Sequence, residues 1–427
     1  MTEERIGQRL LTPYRVLDLT DEKGFLCGKI LADMGADVIK IERSGGDPGR
    51  RLGPYYHDQP EAEKSLYWAA YNTNKRGITL DIETTTGRTL LKRLAEGADI
   101  VIESFEPGYM DRLGLGYPEL EKLNGGLILV SITPFGQTGP YVDEGYRSSD
   151  LVLWAMSGFM LPNGDPDRAP NQLTFPQAYL HGGAEAAVAA LTALYARAGT
   201  GEGQLVDVSI LESLHTSTQL MMPTWDMYGD VIPRGSAKRG IRRPDGSVIH
   251  VQSTYECADG LFLVTIGGGS LKSFALSSAA LVDWIDEEGM AGDLKGYDWS
   301  QFNYQSLTQA ELDHMQQDII GPFIKKHTKA ELYEGCIARK ILGCPYQDSR
   351  DVAESPQLAA RDFFVRVEHP ELNDTLTYCG PFIQLSETPL NEWRRAPLIG
   401  EDNVAVYEEE LGLSREQLSS LRRAGVI

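Results

Sequence analysis

The chain has 427 residues, 42% of them hydrophobic and 24% charged, which is enough for two domains with sizeable cores. A formal net charge of −21 argues against nucleic acid and anionic membrane surfaces as partners, so any local basic cluster stands out. No apolar run approaches the ~18 residues of a membrane span, and the opening MTEERIGQRL has no apolar signal core. Cys27, Cys257, Cys336, Cys344 and Cys379 are scattered, without CxxC or His-partnered spacing. The expectation is a cytoplasmic protein with reduced thiols and no metal.

The first 135 residues alternate strand and helix. Arg15–Leu19, Asp37–Ile41, Asp99–Glu103 and Leu127–Ile132 read as short buried strands. Phe25–Met34 and Thr86–Glu96 read as helices. Such alternation implies a Rossmann-like parallel sheet covered on both faces, hence an α/β fold. The first strand-to-helix turn, DEKGF, has neither a G-x-G-x-x-G nor a Walker A loop, so no backbone cradle for a pyrophosphate is expected and no nicotinamide or flavin cofactor. Side chains would have to meet an anion. Arg43 closes the second strand, Lys75 and Arg76 precede a strand-like ITLDI, and Arg112 follows another strand end. Taken singly, each is as readily a solvated surface charge.

The loop TPFGQTGP is punctuated by Gly and Pro and reads as a rigid connection, and Asp150 reads as the cap or dipole partner of the apolar helix that follows it. An Ala-rich helix is expected from His181 to Arg197, with Ala184, Ala187, Val188, Leu191, Leu194 and Tyr195 on one apolar face. Gly182, Gly183, Ala184 and Ala186 would let another backbone approach its first turn closely. An apolar strand, Leu205–Leu211, follows a glycine-rich turn. Beyond Met221 the texture changes. Arg234, Lys238, Arg239, Arg242 and Arg243 form a basic segment read as a linker, then Val248–Thr265 suggests a small antiparallel sheet. Helices from Leu271 to Arg339 complete a second domain, and an amphipathic helix, Arg415–Arg423, closes the chain. The expected division is 1–224 for a large domain, 225–340 for a smaller α+β domain, and 341–427 for a segment returning to the large one.

These stretches carry a resemblance. RVLDLT, LADMGADVIKIERSGGDPGR, NTNKRGITLDI, ADIVIESFEPG, LGLGYPEL, FGQTGP, TGEGQLVDVSILES, RAPLIGEDN and LRRAGVI occur in the order seen in class III CoA-transferases. That family includes formyl-CoA transferase, carnitine CoA-transferase and the α-methylacyl-CoA racemases. The resemblance implies CoA and acyl-CoA as substrates, a CoA site lined by Arg43, Lys75, Arg76, Ser104, Phe105 and Arg112, and dimers whose two chains interlock. It also implies departures. Tyr179, four residues ahead of Gly183, stands where the family has its nucleophilic Asp; Ser104 stands where Asn is more usual; Pro134 replaces a Gly. Ser149 occupies the place of the racemases' catalytic His, which disfavours racemisation. Asp165, Asp167 and Glu185 are the nearby carboxylates in sequence that a substitute nucleophile would have to come from.

The reading is a CoA-transferase subunit with no nucleophile of its own. Its expected partner is a related chain bearing the catalytic Asp, as in heteromeric members such as succinyl-CoA:(R)-benzylsuccinate CoA-transferase. Two alternatives stay open: a homodimeric acyl-CoA enzyme with another mechanism, and a non-catalytic CoA-thioester-binding protein.

Overall fold

The computed structural model describes residues 9–165, 167–219, 221–232, 234, 238–388, 390 and 393–427, with the side chain of 239 set aside. The chain divides into two compact units, Met1–Gly158 with Leu173–Gln219 and Pro356–Ile427, and Phe159–Gln172 with Leu220–Ser355. The second unit runs past the expected boundary at 341. The reason is strand pairing: Gly343–Pro345 joins the sheet of that unit and not the large sheet.

Unit 1 is built from β1 (Arg15–Leu19), α1 (Phe25–Asp33), β2 (Asp37–Glu42), α2 (Leu66–Tyr71), β3 (Arg76–Thr79), α3 (Thr85–Glu96) and β4 (Ile100–Glu103). It continues with α4 (Tyr109–Arg112), α5 (Tyr117–Glu121), β5 (Ile128–Thr133), α6 (Pro140–Asp143), α7 (Asp150–Met156), α8 (Ala178–Thr200), β6 (Leu205–Ser209) and α9 (Ile210–Ser217). The six strands form one parallel sheet in the order β3-β2-β1-β4-β5-β6. This is the doubly wound order, in which ligands bind beyond the carboxyl ends of the strands. Val16, Leu17, Ile39, Ile78, Ile102, Ile128 and Val130 are buried, as expected of strands covered on both faces.

The edge strand β3 is not left open. Gly77 exchanges hydrogen bonds with Asp402, donating its N–H to the carboxylate and accepting the Asp402 N–H, both at 2.8 Å. The Thr79 N–H donates to Asn403 at 2.9 Å, and the Tyr407 hydroxyl donates to the Thr79 carbonyl at 2.8 Å. A Cβ at Gly77 would lie 2.6 Å from Pro397, so glycine is needed for the close approach. The returning C-terminal segment thus pairs the edge and blocks strand addition there.

Two expectations fail around the central helix. Ile210 and Leu211 do not extend β6; they open α9, because the Ser209 hydroxyl accepts the Glu212 N–H as an N-cap. The buried face of α8 is made by Gly182, Gly183, Ala186, Ala187, Ala190, Ala193 and Leu194, while Val188 and Tyr195 are 59% and 85% exposed. Packing distance explains this. A Cβ at Gly183 would come within 3.0 Å of Leu26, and one at Gly182 within 2.7 Å of Ile210, so only small residues fit against α1 and α9.

Unit 2 contains α10 (Met221–Tyr228), β7 (Lys238–Arg242), β8 (Val248–Gln252), β9 (Thr254–Cys257), β10 (Gly260–Val264), α11 (Lys272–Glu287), α12 (Gln309–Asp313), α13 (Gly321–Lys326), α14 (Lys329–Arg339) and β11 (Gly343–Pro345). β7 pairs antiparallel with β8, and β9, β10 and β11 form a second antiparallel sheet. Its core gathers Phe262, Trp284, Trp299, Phe302 and Phe323. Much of the basic segment is therefore strand and not linker. Lys238 and Arg242 face Asp313 and Asp230 at 3.8 and 3.4 Å, and Arg243 donates to the Tyr304 and Leu307 carbonyls. Residues 233 and 235–237 lie outside the described residues. In unit 1, β12 (Phe364–His369) and β13 (Asp374–Cys379) form a hairpin, and the closing helix is Arg415–Arg423, as expected.

Candidate active site

The carboxyl ends of β1, β2 and β4 and the segment after β3 surround a cavity of about 260 Å³ lined in part by Asp21, Arg43, Asp47, Glu83, Ser104, Phe105 and Tyr109. Phe105, before the turn that leads into α4, packs against Tyr109 at its start, with ring centroids 4.7 Å apart and planes tilted by 32°. The Tyr109 hydroxyl donates to Glu83 at 3.0 Å, and Arg43 faces the same carboxylate at 3.4 Å with most of its side chain in solvent. Arg112 is exposed, its guanidinium 5.7 Å from the Tyr109 ring. The Ser104 hydroxyl is committed: it donates to Asp21 at 2.8 Å and accepts the Asp21 N–H at 2.9 Å, tying the β4 end to the β1–α1 turn.

Lys75 and Arg76 do not join this group, because Lys75 precedes β3 and Arg76 opens it, both at its amino end. Lys75 is fully buried, donating to Asp18 at 2.8 Å, Asn72 at 2.8 Å and the Phe25 carbonyl at 3.0 Å. Lys40, also fully buried, donates to the Thr20 carbonyl and stands 3.6 Å from both Asp18 and Asp47. Burial works against ionisation of Asp18, but Lys40 and Lys75 outweigh it and hold its carboxyl below the ordinary range. Glu42 and Arg50 add a bidentate pair at 2.6 and 2.8 Å. Asp18, Lys40, Arg50 and Lys75 lie under the cavity and do not line it, whereas Glu42 and Asp47 reach its wall.

Arg76 instead borders a larger cavity, about 900 Å³, at the amino ends of β2 and β3, together with Arg366, Arg394 and Arg395. Size does not make it the better site. Arg76 is held by Asp37 and Glu410 at 2.7 and 2.5 Å, Arg394 by Asp402 at 3.3 Å, and Arg395 by Glu401 at 2.7 Å. The charges of Arg76, Arg394 and Arg395 are thus already matched, and the position is the wrong end of a parallel sheet for a ligand.

Tyr179 lies in the first turn of α8, half-buried. Asp150 does not cap its own helix; Ser149 does, accepting the Val152 N–H at 3.4 Å. The Asp150 carboxylate instead accepts the Ala178 and Tyr179 N–H groups at 2.8 and 3.4 Å, capping α8. Burial first, then the charges of Glu22, Asp21 and Asp150, push the Tyr179 phenol up, so it is a neutral donor at physiological pH. Burial, with help from Asp21, also raises the Glu22 carboxyl. Sequence reasoning missed Glu22, because the DEKGF turn gives no sign that it faces α8. Of the carboxylates it did weigh, Glu185 is exposed, and Asp165 and Asp167 belong to unit 2. Among the described residues no group of His, Cys, Asp or Glu is placed to hold a metal, and no helix is long and apolar enough to cross a membrane.

The family model for CoA-transferase family III matches residues 11–403. The chain belongs to CoA-transferase family III. This class III CoA-transferase is 34% identical over 97% of both chains to the succinyl-CoA:(R)-benzylsuccinate CoA-transferase subunit BbsE of Thauera aromatica. It is 31% identical over 98% of both chains to the succinyl-CoA–D-citramalate CoA-transferase of Chloroflexus aurantiacus. In structure it resembles a CAIB/BAIF family protein from Brucella suis, with a TM-score of 0.77 and 27% identity over 94% of this chain and 100% of that one. A CoA-transferase needs a CoA thioester and an acceptor carboxylate.

Proposed function

We propose that the chain is the non-nucleophilic subunit of a heteromeric class III CoA-transferase, moving CoA from an acyl-CoA donor such as succinyl-CoA to a carboxylic acid. Tyr179 carries this reading: it fills the first turn of α8, where the family resemblance places the nucleophilic Asp. A phenol kept neutral by burial and three nearby carboxylates cannot take over the exchange. In the partner, the Asp carboxylate would attack the thioester carbonyl and release CoA thiolate. The thiolate would then attack the Asp carbonyl of the anhydride, freeing the donor acid and leaving CoA on the partner as a thioester. The acceptor carboxylate reverses both steps.

The cavity at the carboxyl edge is assigned to the adenosine end of CoA. Its lining is rich in carboxylates, with Asp21, Glu42, Asp47, Asp81 and Glu83 against one arginine, Arg43. That suits ribose hydroxyl and adenine N–H donors, with the base against Phe105 and Tyr109. The phosphates would lie outside, where Arg43 and Arg112 are exposed. Lys75 and Arg76 support the sheet and do not touch the ligand. The outward apolar residues of α8, Val188 and Tyr195, are the surface assigned to a partner chain in an interlocked cytoplasmic pair.

The test is reconstitution. The chain purified alone should show no CoA transfer from succinyl-CoA, and it should gain activity with a paralogue carrying Asp at the Tyr179 position. Turnover by the chain alone would overturn the assignment and favour a homodimer with another mechanism. CoA binding with no activity in either preparation would favour the non-catalytic binder.

A further inference from the structure

Glu103 ends β4 immediately before the Ser104–Phe105 turn, and its side chain is 4% exposed. Its Oε2 accepts the Phe105 N–H at 2.7 Å, and the hydroxyl of Ser131, its in-register neighbour on β5, is a second donor. The side chain faces away from the carboxyl-edge cavity, toward a pocket of about 60 Å³ that it shares with Glu106, Asp111, Tyr117 and Gln137. From the β1–α1 turn, Lys23 and Asp21 act on it with opposite sign. Phe105 stands on this carboxylate, and Tyr109 stands on Phe105.

We infer that Glu103 is a positioning residue for CoA capture: its carboxylate fixes the turn that presents Phe105 to the ligand, and its protonation weakens CoA binding. The inference rests on the assignment of the cavity to CoA. Burial pushes the Glu103 carboxyl up to about 7, against its hydrogen bonds from Ser131 and Phe105, so the switch falls near neutrality. Ionised, it receives two charge-assisted hydrogen bonds; protonated, it must spend its proton on Ser131 or a nearby carboxylate and holds the Phe105 N–H less firmly. If bound CoA favours the ionised form, affinity rises as pH rises through the carboxyl's titration. A carboxylate acting only as a nearby charge would repel the polyanion and give the opposite slope.

The experiment is titration calorimetry of CoA against the full chain between about pH 6 and pH 8, for wild type, Glu103→Gln and Phe105→Ala, with thermal melts of each. CoA's own phosphate titrates near ~6, so the quantity read is the ratio of the Glu103→Gln and wild-type Kd values at each pH. That ratio is expected to be about fivefold at the alkaline end and to fall toward one at the acid end. A ratio flat with pH, or one that rises toward acid, overturns the inference. Phe105→Ala separates the two levels: unchanged CoA affinity there removes the cavity assignment itself, whereas weakened affinity with a flat Glu103→Gln ratio removes only the role of Glu103. Should Glu103→Gln fail to fold, the wild-type and Ser131→Ala pH profiles serve instead, since losing the Ser131 hydroxyl removes a donor to the ionised carboxylate and moves its titration to higher pH. A Ser131→Ala profile equal to that of wild type would then sink the proposal.

Discussion

Lys75→Met separates a structural cation from a ligand contact. The methionine keeps most of the stem volume and removes the ammonium that donates to Asp18, Asn72 and the Phe25 carbonyl. Breaking a buried ion pair by removing one partner costs about 3–5 kcal/mol, because a carboxylate is left uncompensated. Here Lys40 remains 3.6 Å from Asp18, which places the expected loss near the lower end, about 3 kcal/mol. Urea denaturation followed by the signal of the Trp residues would read it as a shift of midpoint at unchanged slope. Asp18→Asn combined with Lys75→Met should recover part of the loss, since the pair is coupled. CoA affinity, measured by calorimetry on the folded variant, should stay within about twofold of wild type, below the tenfold that ~1.4 kcal/mol would produce. Native stability together with a large loss of CoA affinity would refute the placement of Lys75 under the sheet.

Arg43→Ala should leave stability unchanged, because its contact with Glu83 is long and exposed, and should weaken CoA binding about tenfold by calorimetry. Tyr179→Asp should fold with a loss of about 1–2 kcal/mol for a half-buried ring, and show no thioester by mass spectrometry after incubation with succinyl-CoA. The added carboxylate would sit among Glu22, Asp21 and Asp150, which disfavour its ionisation.

The parallel sheet was legible because β1, β2, β4 and β5 are short runs dominated by buried β-branched and leucine residues. Even the limits of β1 and of the closing helix stand as read. The buried face of α8 was not, since a Gly/Ala helix packs through its smallest residues and leaves Val188 and Tyr195 outward, against the usual periodicity rule. The short β6 was legible in principle: Ser209 and Glu212 have the spacing of a helix start. Of the six side chains assigned to CoA, the structure brings Arg43, Ser104 and Phe105 to one cavity, with Arg112 beside Tyr109. A motif containing Lys75 does not say which way a lysine points. The buried Asp18, 57 residues away in sequence and adjacent across the fold, decides that. The role of Asp150 was hidden in the same way, because the N–H donors its carboxylate accepts from lie on another helix.

The most direct measurement is carboxylate trapping on the purified chain with and without its Asp-bearing paralogue. Each preparation is incubated with succinyl-CoA, quenched with hydroxylamine and mapped by peptide mass spectrometry. No modified carboxylate is expected on this chain in either preparation, and a hydroxamate is expected on the paralogue's Asp. A hydroxamate on Glu22, Asp150 or any other carboxylate of this chain would contradict this expectation.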